Sequence, residues 1–313
     1  MKKNSRIYIA GHSGLLGSSL IKTLQNNGYT NLITRSHNEL DLKNQHDVNH
    51  FFKDQRPEYV FHAAAKVGGI SANITNGAAF IYDNLMINTN VIHTAYQYGV
   101  KKLVFLGSSA VYPRACEQPI KENSLLTGPI EQSHEPYAIA KIAGIKLCET
   151  YNKFYGTNFL SCIATNLYGP HDNFNEQTSH VVPALIQKLY KAHQHQKKSV
   201  TIWGSGNAYR EFLYVDDLAK ACILLMRSEH ATGTINIGSS TDITIKELAE
   251  LIKKTIGYKG KLIFDTQKPE GALRRLLSCE KMQKMGWKPA YSLDQGIKKT
   301  VDWYSHNYKK FEL

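Results

Sequence analysis

No apolar run in the 313 residues approaches the length of a membrane-crossing helix, although apolar side chains make up 42% of the chain, an ordinary share for a globular protein. A membrane partner is not expected. Cysteine is sparse and unpatterned: Cys116, Cys148, Cys162, Cys222 and Cys279 are odd in number, far apart and free of any Cys-x-x-Cys pair. That argues against a disulfide framework and a zinc site, and reads as reduced thiols in a cytoplasmic protein with no metal. The opening Met1-Lys2-Lys3-Asn4-Ser5-Arg6 leads into a short strand without the apolar core of a secretory leader. Acidic residues are the scarcer charge, 26 against 38 lysines and arginines, for a formal net charge of +12. The surplus lies in scattered pairs such as Lys101-Lys102, Lys197-Lys198, Lys253-Lys254 and Lys298-Lys299, with no basic stripe interleaved with aromatics. Nucleic acid is therefore not the expected partner; the charge suits a solvated surface and the attraction of a phosphorylated small ligand.

Against these absences stands a strand, a glycine turn and a helix. Residues 6–10 form a short apolar strand, Gly11-His12-Ser13-Gly14-Leu15-Leu16-Gly17 follows, and Leu16, Leu20, Ile21 and Leu24 recur at helical spacing. In this arrangement backbone N–H groups at a helix N-terminus receive a pyrophosphate and glycines allow its close approach. Gly11, Gly14, Leu15, Leu16 and Gly17 are thus candidate dinucleotide contacts. A second strand, residues 31–34, lacks at its end the acidic residue that would hold an adenosine ribose 2′-hydroxyl; Arg35, with His37 close by, suits a 2′-phosphate instead. NADP is expected over NAD. Asp41 and Leu42 fall where a turn would meet the adenine, and a third strand at 58–65 ends in alanines, Ala64 among them, small enough for a cofactor to pass.

The stretch Tyr137-Ala138-Ile139-Ala140-Lys141 places a phenol and an ammonium one helical turn apart on one face. A neighbouring ammonium favours the phenolate, so Tyr137 is expected to act as an acid or base below its free pKa of about 10. The strand before it, residues 103–106, runs into Gly107-Ser108-Ser109, whose hydroxyls suit a substrate oxygen. Asn84 and Asn88, one turn apart on a helix at 78–98, read equally as site residues or as buried structural amides. Strands and helices alternate up to residue 170, which predicts a right-handed, doubly wound parallel sheet, an α/β fold. Residues 1–170 read as the dinucleotide-binding domain, with segments returning to it near 211–240. Residues 171–313 read as a smaller α/β substrate lobe over the carboxyl edge of the sheet, with capping boxes opening helices at Thr244 and Ser292.

With the glycine turn, Ser108 and the Tyr137/Lys141 pair in one order, the chain resembles the extended short-chain dehydrogenase/reductases. Longer runs narrow the likeness: residues 62–70, residues 135–145, Asn166-Leu167-Tyr168-Gly169-Pro170-His171-Asp172-Asn173-Phe174, Trp203-Gly204-Ser205-Gly206, and Arg210-Glu211-Phe212 are similar to the GDP-L-fucose synthase family. The resemblance covers nearly the whole chain. It implies a Rossmann sheet, NADPH, a GDP-linked 4-keto sugar and a homodimer. It further implies that Tyr137 gives a proton to the developing C4 alkoxide, that Ser108 bonds the same oxygen, and that Lys141 holds the nicotinamide ribose. By the same match Asn166 and Leu167 lie near the nicotinamide. Ser109, His180, Lys188, Trp203, Arg210, Lys268 and Arg274, with the Pro269-Glu270-Gly271 stretch, fall where the family grips its substrate.

One position departs from the pattern. Family members carry, two residues after the catalytic serine, a cysteine that works with a histidine to move protons at the carbons beside the ketone; here that place holds Ala110, while the histidine match, His180, is present. A methyl group can neither remove nor return a proton, whereas reduction needs neither group. The expectation is a C4 reductase with little or no epimerase activity, served by a separate epimerase or reducing its sugar unchanged. Alternatives are a bifunctional 3,5-epimerase/4-reductase, with Cys116 folding back to substitute, and an NAD-dependent 4-epimerase. Ser13 and His37 stand where arginine is common in the family, which weakens the NADP expectation without reversing it.

Overall fold

The computed structural model describes residues 1–268 and 271–308. In its first half β1 (Ile7–Ala10), α1 (Leu15–Asn26), β2 (Leu32–Ile33), α2 (Gln45–Gln55), β3 (Tyr59–His62), α3 (Ile70–Thr75), α4 (Gly77–Gln97), β4 (Lys102–Ser108), α5 (Glu135–Tyr155) and β5 (Phe159–Ala164) follow one another. Then come β6 (Asn166–Tyr168), α6 (Val181–Gln194), β7 (Ser199–Trp203), β8 (Tyr209–Tyr214), α7 (Val215–Arg227), β9 (Thr234–Ile237), β10 (Asp242–Thr244), α8 (Ile245–Ile256), β11 (Lys261–Asp265), β12 (Arg274–Arg275), α9 (Glu280–Lys284) and α10 (Leu293–Asn307).

Six strands pair in parallel in the order β2-β1-β3-β4-β5-β9, so the order reverses between β1 and β3, where a doubly wound sheet opens a crevice for ligands. Parallel strands covered on both faces read as continuous apolar runs, and all four residues of β1 are buried. Successive side chains alternate between the faces. Ile7 and Ile9 pack with Leu20 and Leu24 of α1 and Leu218, Cys222 and Leu225 of α7. Tyr8 packs on the other side with Val91 and Ile92 of α4 and Ile145 of α5.

A separate core holds the remainder, built from Leu185, Ile186 and Leu189 of α6, Ile202, Phe212, Leu248, Ile252 and Val301. Here β8 lies between β10 and β12 and also pairs with β6, while β7 pairs with β11. Both capping boxes form, Thr244 with Glu247 and Ser292 with Gln295. Strands β10, β11 and β12 were not marked in the sequence: two of them span three residues or fewer, too short to show a period, and β11 alternates half-exposed with exposed positions. The two asparagines left open turn out to be structural. Asn84 exchanges hydrogen bonds with the backbone of Lys66 at 2.9 Å each way, and Asn88 donates to the Ala140 carbonyl at 3.0 Å. Among the described residues no helix is long and apolar enough to cross a membrane.

Candidate active site

A cleft of about 1120 Å³ is lined by the carboxyl ends of β1, β3, β4 and β5, by the start of α6 and by residues of the lobe. At one end all seven residues from Gly11 to Gly17 reach it. Gly11 sits at φ +80°, and a Cβ there would lie 2.8 Å from the Ala64 Cα, so the turn rests directly on the end of β3. A Cβ on Gly17 would strike the Gly11 carbonyl, so only glycine lets α1 start this close to the turn. Helix α1 opens at Gly14 with no side-chain cap and no acidic residue in its first turn. Its leading N–H groups are therefore left for an anionic ligand.

Arg35 and His37 line the same end, with Asp41, Leu42 and Ala64. Arg35 Nη1 donates to the Thr34 carbonyl at 2.7 Å and its guanidinium lies 5.6 Å from the Phe51 ring centre, which holds it in place. An uncapped helix start, alanines at the strand end and a fixed guanidinium fit a dinucleotide carrying a 2′-phosphate.

At the middle of the cleft Ser108, Ala110 and Tyr137 come together with Asn166 and Leu167. Burial raises the Tyr137 phenol to about 12, partly offset by the facing Ser108 hydroxyl. This reverses the expected direction. Lys141 is buried behind the tyrosine, outside the cleft lining; its Nζ donates to the Leu106 carbonyl at 2.7 Å and stands 5.9 Å from the Tyr137 ring centre. Burial pulls Lys141 down to about 7, so only part of its charge is left at neutral pH to favour a phenolate. In this arrangement the Lys141 ammonium is held by the Leu106 carbonyl of β4 rather than presented to the cleft. A phenol that keeps its proton is nonetheless the form a proton donor needs.

At the far end His180 occupies the N-cap position of α6 without a side-chain capping bond and faces the cleft, its pKa lowered by the protein around it. Lys188, Trp203 and Arg210 line this end too. Lys188 Nζ donates to the Thr201 carbonyl at 3.0 Å, and Arg210 Nη1 donates to the Tyr209 carbonyl at 2.7 Å. Three expected residues lie elsewhere. Ser109 is buried beneath the turn that follows Ser108 and does not line the cleft. Lys268 stays outside the lining, with its Nζ 5.6 Å from the Trp203 ring centre. Arg274 points away and pairs with Asp242 at 2.5 Å and 3.2 Å. Alternation along β12 puts its neighbour in the cleft instead: Arg275 is buried, and its Nη1 donates to the carbonyls of Ser109 and Tyr112. Pro269 and Glu270 lie outside the described residues.

The cleft also contains groups the sequence did not single out. Asp172, whose Oδ1 accepts from the Asn173 N–H at 2.8 Å, is pushed by burial to about 7. His134 lies just ahead of α5. Neither sits in a spacing pattern, so the only signal was nearness to Tyr137 or to the Gly169-Pro170 turn.

A family model described as the NAD dependent epimerase/dehydratase family matches residues 7–238. A putative GDP-L-fucose synthase 2 of Arabidopsis thaliana is 51% identical over 307 residues, covering 98% of this chain and 94% of that protein. This chain belongs to the GDP-L-fucose synthase family. Among solved members, a GDP-6-OMe-4-keto-L-xylo-heptose reductase from C. jejuni superimposes with a TM-score of 0.93 at 40% identity, over 98% of this chain and 99% of that one. MlghC, a GDP-mannoheptose C4 reductase from Campylobacter jejuni with NADP bound, gives 0.88 at 41% identity, over 97% and 99%. The Rossmann-type sheet read from the alternation of strands and helices is the fold these members share.

Proposed function

We propose that this chain reduces the C4 carbonyl of a GDP-linked 4-keto-6-deoxy sugar, hexose or heptose, with little or no power to invert the neighbouring carbons. Its family makes it an NADPH-dependent oxidoreductase of nucleotide sugars; the narrower reading rests on Ala110, which lines the cleft beside Ser108 and Tyr137 while His180 faces the same space. In relatives that epimerise, the resemblance puts a thiol at position 110.

The glycine turn and Arg35 would hold NADPH, which when bound would supply a hydride for C4. The chain's own residues then have two tasks. Ser108 and Tyr137 hold the carbonyl oxygen, and Tyr137, still protonated at neutral pH, gives its proton as the alkoxide forms. Lys141 behind it, close to its titration point, is placed to support the return of a proton. Arg210 lines the end that suits a diphosphate, while Arg275 braces the turn after Ser108 through the Ser109 and Tyr112 carbonyls. His180 is left as a hydrogen-bonding partner for the sugar.

Cys116 gives the bifunctional alternative no support. Its thiol donates to the Pro113 carbonyl at 3.5 Å, burial raises its pKa, and it does not line the cleft. Arg35 disfavours the NAD-dependent 4-epimerase. A homodimer is consistent with Tyr82 on α4 and Ile139, Phe154 and Tyr155 on α5, large apolar side chains left exposed on two helices packed together. A separate enzyme would carry out any epimerisation upstream.

The test is turnover of a GDP-4-keto-6-deoxy sugar with NADPH in D₂O, followed by NMR of the product. The expected alcohol carries no solvent deuterium at C3 or C5; rapid incorporation there refutes the loss of epimerase activity.

A further inference from the structure

Beside Ala110 the cleft wall holds an imidazole that the reduction leaves idle. His134 occupies the N-cap position of α5, three residues before Tyr137, and its ring lines the cleft with Ser108, Ala110 and Arg275. Burial first, then the Arg275 charge, presses its pKa down to about 4; the Glu131 carboxylate and the backbone of Ala110 pull the other way and are outweighed. The ring is neutral at physiological pH, with one donor and one acceptor nitrogen. Nδ1 faces the Ser133 hydroxyl at 3.4 Å. Nε2 is shielded from water and makes no hydrogen bond of normal geometry among the described residues; the approach of the ring to the Ala110 backbone is a looser one. Buried polar atoms are nearly always satisfied, and an exception in the wall of a ligand cleft points to a partner that arrives with the ligand.

We propose that His134 is a specificity-determining residue: its ring turns about the Cβ–Cγ bond as the sugar enters, and Nε2 hydrogen-bonds a hydroxyl on a carbon next to the reacting carbonyl. The methyl of Ala110 leaves the room for that hydroxyl, which a bulkier thiol would narrow. The substitution that removes the epimerase thiol thus also opens a subsite, one that favours sugars with a free hydroxyl there and disfavours those without it. This inference rests on the GDP-sugar reading above.

Calorimetric titration of the wild-type chain, His134→Phe and His134→Gln with GDP and with GDP-mannose tests it. The wild type is expected to bind GDP-mannose more tightly than GDP. In His134→Phe the GDP-mannose affinity should fall about tenfold while GDP and NADPH affinities stay within about twofold; His134→Gln should recover most of the loss. If the phenylalanine variant does not fold, His134→Ala gives the same comparison. Unchanged GDP-mannose binding, or equal weakening of GDP and GDP-mannose, overturns the inference alone. A wild-type chain that does not bind GDP at all overturns the GDP-sugar reading and the inference with it.

Discussion

At the dinucleotide end of the cleft the lining is rich in glycines and alanines around an uncapped helix start; at the sugar end it is largely bulky polar side chains, among them Tyr137, His134, His180, Asp172, Arg210 and Arg275, drawn from distant parts of the chain. The first end works by shape, since a pyrophosphate needs only a close approach and aligned N–H groups. The second works by environment. Burial holds Tyr137 and His134 in their uncharged forms and brings Lys141 and Asp172 near 7. A shape fails when a side chain is added; a tuned environment fails when a group is exchanged for one of the same size.

The largest separation between the two ends should come from Tyr137→Phe. It removes the proton donor, and with it the hydroxyl that shares the carbonyl oxygen with Ser108, so reduction should fall by about 10²- to 10⁴-fold with NADPH affinity unchanged, as steady-state kinetics and fluorescence titration will show. Gly17→Ala tests the opposite end: its methyl meets the Gly11 carbonyl and the His12 backbone, and NADPH affinity should drop by at least about tenfold together with the thermal midpoint. Ala110→Cys restores a thiol at the sugar end and should raise deuterium exchange beside the carbonyl by about tenfold or more while reduction continues.

Arg35→Ala should weaken NADPH by about tenfold and leave NADH nearly untouched, narrowing the preference between the two. The smallest effect concerns Glu211, a buried carboxylate of β8 that accepts from the N–H groups of Ser240 at 2.7 Å and Leu277 at 3.0 Å, and that burial raises to about 7. An acid raised in the fold binds its proton more tightly there than in the unfolded chain. Its stabilising contribution is complete at low pH and is lost as pH rises through about 7. Denaturant unfolding should therefore show wild type losing about 1–3 kcal/mol more than Glu211→Gln between pH 5.5 and pH 8.

The dinucleotide end was readable in the sequence because its residues are consecutive. Gly11 to Gly17 carry a spacing, the strand before them is an apolar run, and all seven reach the cleft. Tyr137 and Ser108 were readable for a similar reason, as one helix position and one strand end. The sugar end was harder. Arg274 and Arg275 are adjacent, and only the alternation of a two-residue strand decides which of them faces the cleft. Ser109 looked like a second hydroxyl for the substrate, but the turn after β4 rotates it inward and brings Ala110 out. The direction of the Tyr137 shift was missed because it depends on how deeply Tyr137 itself is buried, a property of packing that sequence spacing does not report.

Strand β9 joins the sheet beside β5, and α7 covers the same face as α1, although both follow the first stretch of the lobe in the chain. A fragment ended after Pro170 would keep the whole glycine turn and still expose a bare sheet edge and an apolar flank. Transplanting a foreign sugar specificity onto this scaffold must for that reason exchange separate stretches on both sides of the β8–β9 passage, together with Arg210 of β8 and the Ala110 and His134 positions of the first half.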